Sequence, residues 1–179
     1  MTNYNSCEGI AATLSSIDAR CDKSFGGIKR ILLALRSDVT PSLDAATGTI
    51  TGLTMENGVK FQQWLFRPNT GSYTSTYSGD QATGNHVFTT EVALQFSKAE
   101  AQKRLAIQSA INAASVVIVE DMYGNFIYLG YDREVYITAA TMQSGTATSD
   151  LNGFNLTFTD EAMELPYFVE RTAVESALA

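Results

Sequence analysis

Val116-Val117-Ile118-Val119-Glu120-Asp121-Met122-Tyr123-Gly124-Asn125-Phe126-Ile127-Tyr128-Leu129-Gly130-Tyr131 decides the fold class. The apolar run 116–119 has strand length and no polar interruption, which predicts a strand buried on both faces. Tyr123-Gly124-Asn125 supplies a turn, and 126–131 reads as the return strand. Glu120 and Asp121 stand at the approach to that turn. Adjacent strand residues point to opposite faces, so the two carboxylates cannot flank one glycosidic bond, and a pair of turn charges is the expectation.

Working outward, residues 28–35 (Ile-Lys-Arg-Ile-Leu-Leu-Ala-Leu) form a second compact apolar run, bounded by Gly26-Gly27 before it and by Ser37-Asp38 and Pro41 after it, and predict a core strand. Asn57-Gly58 separates residues 50–55 from 59–66, a spacing that predicts a tight hairpin. Residues 67–86 are almost wholly polar and cannot enter a core. Their Thr and Tyr content favours extended backbone, so they are expected to form the exposed tip of a long hairpin returning through residues 87–96. In that return strand Val92, Leu94 and Phe96 alternate with Glu91, Ala93 and Gln95, the period of a sheet with one buried face.

Ser97-Lys98-Ala99-Glu100 reads as a capping box opening a helix over about 98–113. Ala99, Ala106, Ile107, Ala110, Ile111 and Ala114 gather on one side of that helix, leaving Leu105 off the stripe and available to another subunit. Further strands are expected at 135–140 and 154–159, the latter with Phe154, Leu156 and Phe158 on one face. Residues 1–25 read as an N-terminal arm or short helix. The whole predicts one domain over residues 1–179: mainly β, an antiparallel β-sandwich or open barrel of about seven to eight strands with one inserted α-helix.

Composition narrows the chemistry. The chain has 179 residues, 45% of them apolar, enough for a hydrophobic core. Nineteen acidic against twelve basic residues give a net charge of −7, which argues against gripping nucleic acid by its phosphates. No apolar run is long enough to cross a bilayer, and the polar start lacks the pattern of a signal peptide, so a secreted or membrane-spanning product is not expected. His86, the one imidazole, has no nucleophile motif beside it and reads as a surface histidine. Cys7 and Cys21 lack the partners of a zinc site and read as reduced thiols. Gly26-Gly27 lacks the rest of a phosphate-binding loop. Lys29 and Arg30 with Lys23, and Lys98, Lys103 and Arg104, are two small basic clusters expected to meet carboxylates of a neighbouring subunit. No enzymatic activity, metal or cofactor is expected.

The sequence of elements resembles the tail-tube family of tailed bacteriophages. The strings Gly26-Gly27-Ile28-Lys29-Arg30-Ile31-Leu32-Leu33-Ala34 and Asn152-Gly153-Phe154-Asn155-Leu156-Thr157-Phe158-Thr159-Asp160-Glu161 look like those in virion proteins of phages infecting Bacteroidetes, including crAss-like phages. The resemblance implies a virion subunit, made in the host cytoplasm, that forms a ring of six. Stacked rings make a tube through which genome DNA passes transiently. The partners implied are further copies of the chain and other tail or neck proteins, with no membrane. The long hairpin would line the lumen or bridge rings, which makes Arg67, Tyr73, Tyr77, Asp80, His86, Glu91 and Leu105 the assembly or lumen candidates. A neck or head-to-tail ring protein is the alternative within that class. A β-sandwich carbohydrate-binding module, with Trp64, Tyr73 and Tyr77 as stacking rings, is the alternative outside it.

Overall fold

The computed structural model describes residue 17, residues 25–80 and residues 82–178. Apart from Ile17 and Phe25, the expected N-terminal arm with Cys7 and Cys21 lies outside the described residues. Among the described residues eleven strands form two sheets. The larger contains β1 (Ile28–Leu35), β2 (Val39–Asp44), β3 (Thr49–Met55), β4 (Gln62–Leu65), β7 (Ser115–Asp121), β8 (Phe126–Leu129) and β11 (Tyr167–Val169), in the order β2-β3-β11-β8-β7-β1-β4. The smaller contains β5 (Gly71–Asp80), β6 (Asn85–Ser97), β9 (Tyr136–Gln143) and β10 (Gly153–Ala162), in the order β5-β6-β10-β9. All pairings are antiparallel except β11 with β3. The molecule is mainly β, as the sequence predicts, and is a two-sheet sandwich.

The central strands β1, β7 and β8 are apolar on both faces because each face meets a different core. Ile31, Leu33, Val117, Val119, Ile127 and Leu129 share one cluster with Val92, Leu94, Phe154, Leu156 and Phe158 of the small sheet and with Ile107 of α1 (Ala101–Ile111). Leu32, Val116, Ile118, Phe126 and Tyr128 belong to a second cluster with Ile50, Leu53, Phe61 and Val169. That second core is filled by Ala173, Val174 and Ala177 of a C-terminal helix, α2 (Arg171–Leu178). Each fully buried aliphatic side chain contributes roughly 1.5–3 kcal/mol, so both clusters matter to stability.

Several sequence expectations are corrected. Asn57-Gly58 does not close a hairpin: β3 pairs with β2 and β11, whereas β4 pairs with β1 at the far edge of the sheet. A type I′ turn needs positive φ at both central residues, but of this pair only Gly58 has it, and Glu56–Gly58 forms a 3-10 turn. The capping box does not form. Lys98 adopts φ 68, its N–H donates to the Asn152 carbonyl, and the helix starts only at Ala101 after an uncapped Glu100. The Glu100 carboxylate meets the Lys98 and Lys103 ammonium groups instead. Most of the polar segment 67–86 is not a tip. Gly71–Asp80 is a ten-residue strand paired along its whole length with β6.

Candidate assembly surface

The small sheet has one face on the first core and one in solvent. Its solvent face carries Ser72, Thr74 and Thr76 from β5, Thr89, Glu91, Ala93 and Gln95 from β6, Asn155, Thr157, Thr159 and Glu161 from β10, and Tyr136, Ala139 and Thr141 from β9. Hydroxyls dominate, and those of Thr138 and Thr159 lie 2.8 Å apart across the ladder. None of the four strands contains a lysine or an arginine. Their ionisable acids are Asp80, Glu91, Asp160 and Glu161, of which only Asp160 is buried.

The two edges of this sheet are long, and α1 approaches one of them at β9. Among the described residues β5 pairs only with β6, and β9 only with β10. Along ten-residue β5 and eight-residue β9 every second residue turns its backbone N–H and C=O outward, without a proline or lysine to discourage a partner. The larger sheet manages its edges differently: β4 has only four residues, and β2 carries Pro41.

The expected site residues divide between several places. Tyr77 and His86 come together across the β5–β6 ladder, with the Tyr77 hydroxyl 2.6 Å from His86 Nδ1 and the rings stacked at 6.0 Å. Phe88 lies 5.0 Å from the Tyr77 ring, so this end of the hairpin carries an aromatic cluster on its inward side. Asp80 ends β5, where its carboxylate accepts from the Ala82 amide and shapes the turn. Glu91 lies on the solvent face between Thr74 and Thr159. Tyr73 stands opposite Val92 on edge strand β5; partial burial and then the nearby Asp121 raise its phenol pKa. Arg67 is exposed in the loop before β5, and its carbonyl accepts from the Thr70 hydroxyl. Leu105 is 60% exposed on α1, as its position off the apolar stripe predicts, and is remote from the sheet's solvent face. Ala106 of the stripe is also exposed; within α1 only Ile107 is buried.

Lys29 and Arg30 of one basic cluster, and Lys98 and Lys103 of the other, meet carboxylates of the same chain, and Lys23 lies outside the described residues. Lys29 Nζ lies 2.9 Å from Glu120 Oε1, and the Arg30 guanidinium contacts the other Glu120 oxygen. Glu120 is thus a buried ion-pair residue, whereas Asp121 is the turn residue expected: its carboxylate accepts from the Tyr123 and Asn125 amides. Sequence reasoning also passed over Tyr136, Thr138 and the β9 edge. Their signal was the uncharged stretch 135–143, of which only 135–140 was read, as a closing strand.

Among the described residues no cluster of metal-ligating side chains occurs, and no helix is long and apolar enough to cross a membrane. The chain matches no family model, and comparison with curated proteins and with solved structures gave no match.

Proposed function

We propose that the chain is a structural subunit of a phage virion, forming rings that stack into a tail tube and conduct DNA. The observation that carries this reading is the small sheet, with two long edges free of lysine and arginine flanking a solvent face free of basic residues. Its four strands alternate in direction, so rotation about an axis roughly along the strands sets β9 of one copy beside β5 of the next, antiparallel. Repeating that contact closes the sheets into one barrel and removes both edges. A hydroxyl and carboxylate lining would make few phosphate contacts, which suits a wall past which DNA must slide.

The carbohydrate-binding alternative is weaker. Trp64, its largest ring, makes edge-to-face contacts with Phe96 and Phe158 at 5.6 and 6.0 Å and is partly buried, and Tyr77 is engaged by His86 and Phe88. Negative-stain electron microscopy of the purified protein tests the proposal. Rings stacked into hollow tubes are the expected result, and single rings that never stack would support a neck protein instead. Uniform monomers in the images and in sedimentation at micromolar concentration would overturn it.

A further inference from the structure

Asp160 sits near one end of the first core, on the same side of β10 as Phe154, Leu156 and Phe158, and is 3% exposed. Its ladder partner on β6 is Thr90, itself buried, whose hydroxyl donates to Ser75 of β5 rather than to the carboxylate. Asp160 Oδ1 has no hydrogen-bond partner. The backbone N–H of Gly130, at the start of the connection between β8 and β9, faces the carboxylate and favours its ionised form, against the larger opposing effect of burial. That connection is held from the other side by Arg36, whose guanidinium donates to the carbonyls of Gly130 and, at 2.8 Å, Tyr131. The nearest cation therefore has its donors engaged by main-chain oxygens. A buried carboxylate with one orphaned oxygen is costly when ionised and much less so when protonated.

We propose that Asp160 is a proton-operated latch on the β8–β9 connection: protonated, it lets residues 130–135 close over the end of the first core, and ionised, it favours their release. The charged and titratable groups around it support this. Asp132 in the connection and Glu161 next in β10 both disfavour a second negative charge. Arg36 offsets them in part, Tyr128 of β8 is buried nearby and electrostatically coupled to it, and β6 contributes only the neutral Thr90. Burial, the largest cause, pushes the Asp160 carboxyl up to about 6 from its ordinary 3.8. A carboxyl raised on folding contributes stability that is complete below the unfolded value and is lost as pH rises through the folded one. The molecule should therefore tighten between neutral pH and about pH 5. Paired carboxylates whose pKa is lowered act in the opposite direction and at lower pH.

The test compares wild type with Asp160→Asn by thermal unfolding and by hydrogen exchange, at about pH 5 and about pH 7.5, with exchange corrected for the intrinsic chemical rate. Wild type should melt roughly 5 °C higher at the lower pH. Its amides at 130–135 should gain protection there, while those at 116–119 change less. Asp160→Asn should lose the pH dependence and match the acid-form stability at both values. An unchanged pH slope in Asp160→Asn, or a wild-type melting point that stays flat or falls toward pH 5, overturns the proposal. If Asp160→Asn does not fold, the wild-type exchange at 130–135 decides: pH-independent protection there also overturns it. Neither measurement depends on ring or tube formation, so this inference stands or falls apart from the proposed function.

Discussion

Glu120 and Asp121 are neighbours in sequence with opposite fates. The alternation of a strand separates them, sending Asp121 into the turn and Glu120 to a buried position beside Arg30 on the adjacent strand. The turn role was legible because its partners lie two and four residues away. The ion pair was not, because its cations come from β1, some ninety residues earlier. Burial opposes ionisation of Glu120, but hydrogen bonds and charge from Lys29 and Arg30 outweigh it and hold the carboxyl below its usual range. The stability it contributes is complete above the ordinary carboxylate range and is lost as pH falls through its own lower value. Glu120→Ala should cost about 2 kcal/mol at neutral pH, on the low side for a broken buried pair because Lys29 is mostly in water. Urea denaturation should show that deficit shrinking at about pH 3.

At the scale of elements, long apolar runs were read well and short polar joints poorly. Residues 28–35 and 116–119 fall within β1 and β7, because a strand buried on both faces has no other way to satisfy both its backbone and its side chains. The joints were decided by non-local pairing: Asn57-Gly58 yielded to the β1–β4 contact, and Ser97 stayed in β6 because that strand runs on beside β10. Strands β2 and β11 went unread since Pro41 and Pro166 resemble boundaries. Helix α2 also escaped, though Ala173, Val174 and Ala177 have the spacing of one helical face. That face is the plug of the second core. Val174, fully buried, should lose about 2 kcal/mol on replacement by Ala. Equilibrium denaturation would check this, and a loss near zero would mean that α2 is dispensable to the core.

At the scale of the molecule, the sandwich class was legible, but the division of labour between the sheets was not. One sheet is shared by two cores, while the other offers a whole face to solvent; only the pairing order reveals this. The candidate residues on the long hairpin were found by their polarity. Of these only Glu91 joins residues of β9 and β10 in the cation-free wall, and that wall depends on contacts distant in sequence. If that wall lines a conduit, replacing both Glu91 and Glu161 by Lys should leave ring assembly nearly unchanged, since exposed charges contribute about 0–1 kcal/mol. The variant particles should retain linear duplex DNA on sedimentation at low salt and release it as salt rises, because each lysine displaces counterions from phosphate. Equal retention by wild type and variant would remove support for an acidic, non-adhesive lumen.

The double-sided burial of β1, β7 and β8 has a further consequence. Where both faces are greasy, sliding one strand past another by a residue exchanges the contents of the two cores without exposing anything to water, so the customary safeguard against misalignment is absent. Polar punctuation restores it. Only in the observed alignment does Glu120 stand across from Arg30, with Lys29 placed by the irregularity between Ile28 and Arg30. A displaced ladder would set that carboxylate against aliphatic neighbours and turn its principal cation to the opposite face. The ion pair thus serves as an index mark, fixing the reading frame of a sheet whose hydrophobicity carries no phase information.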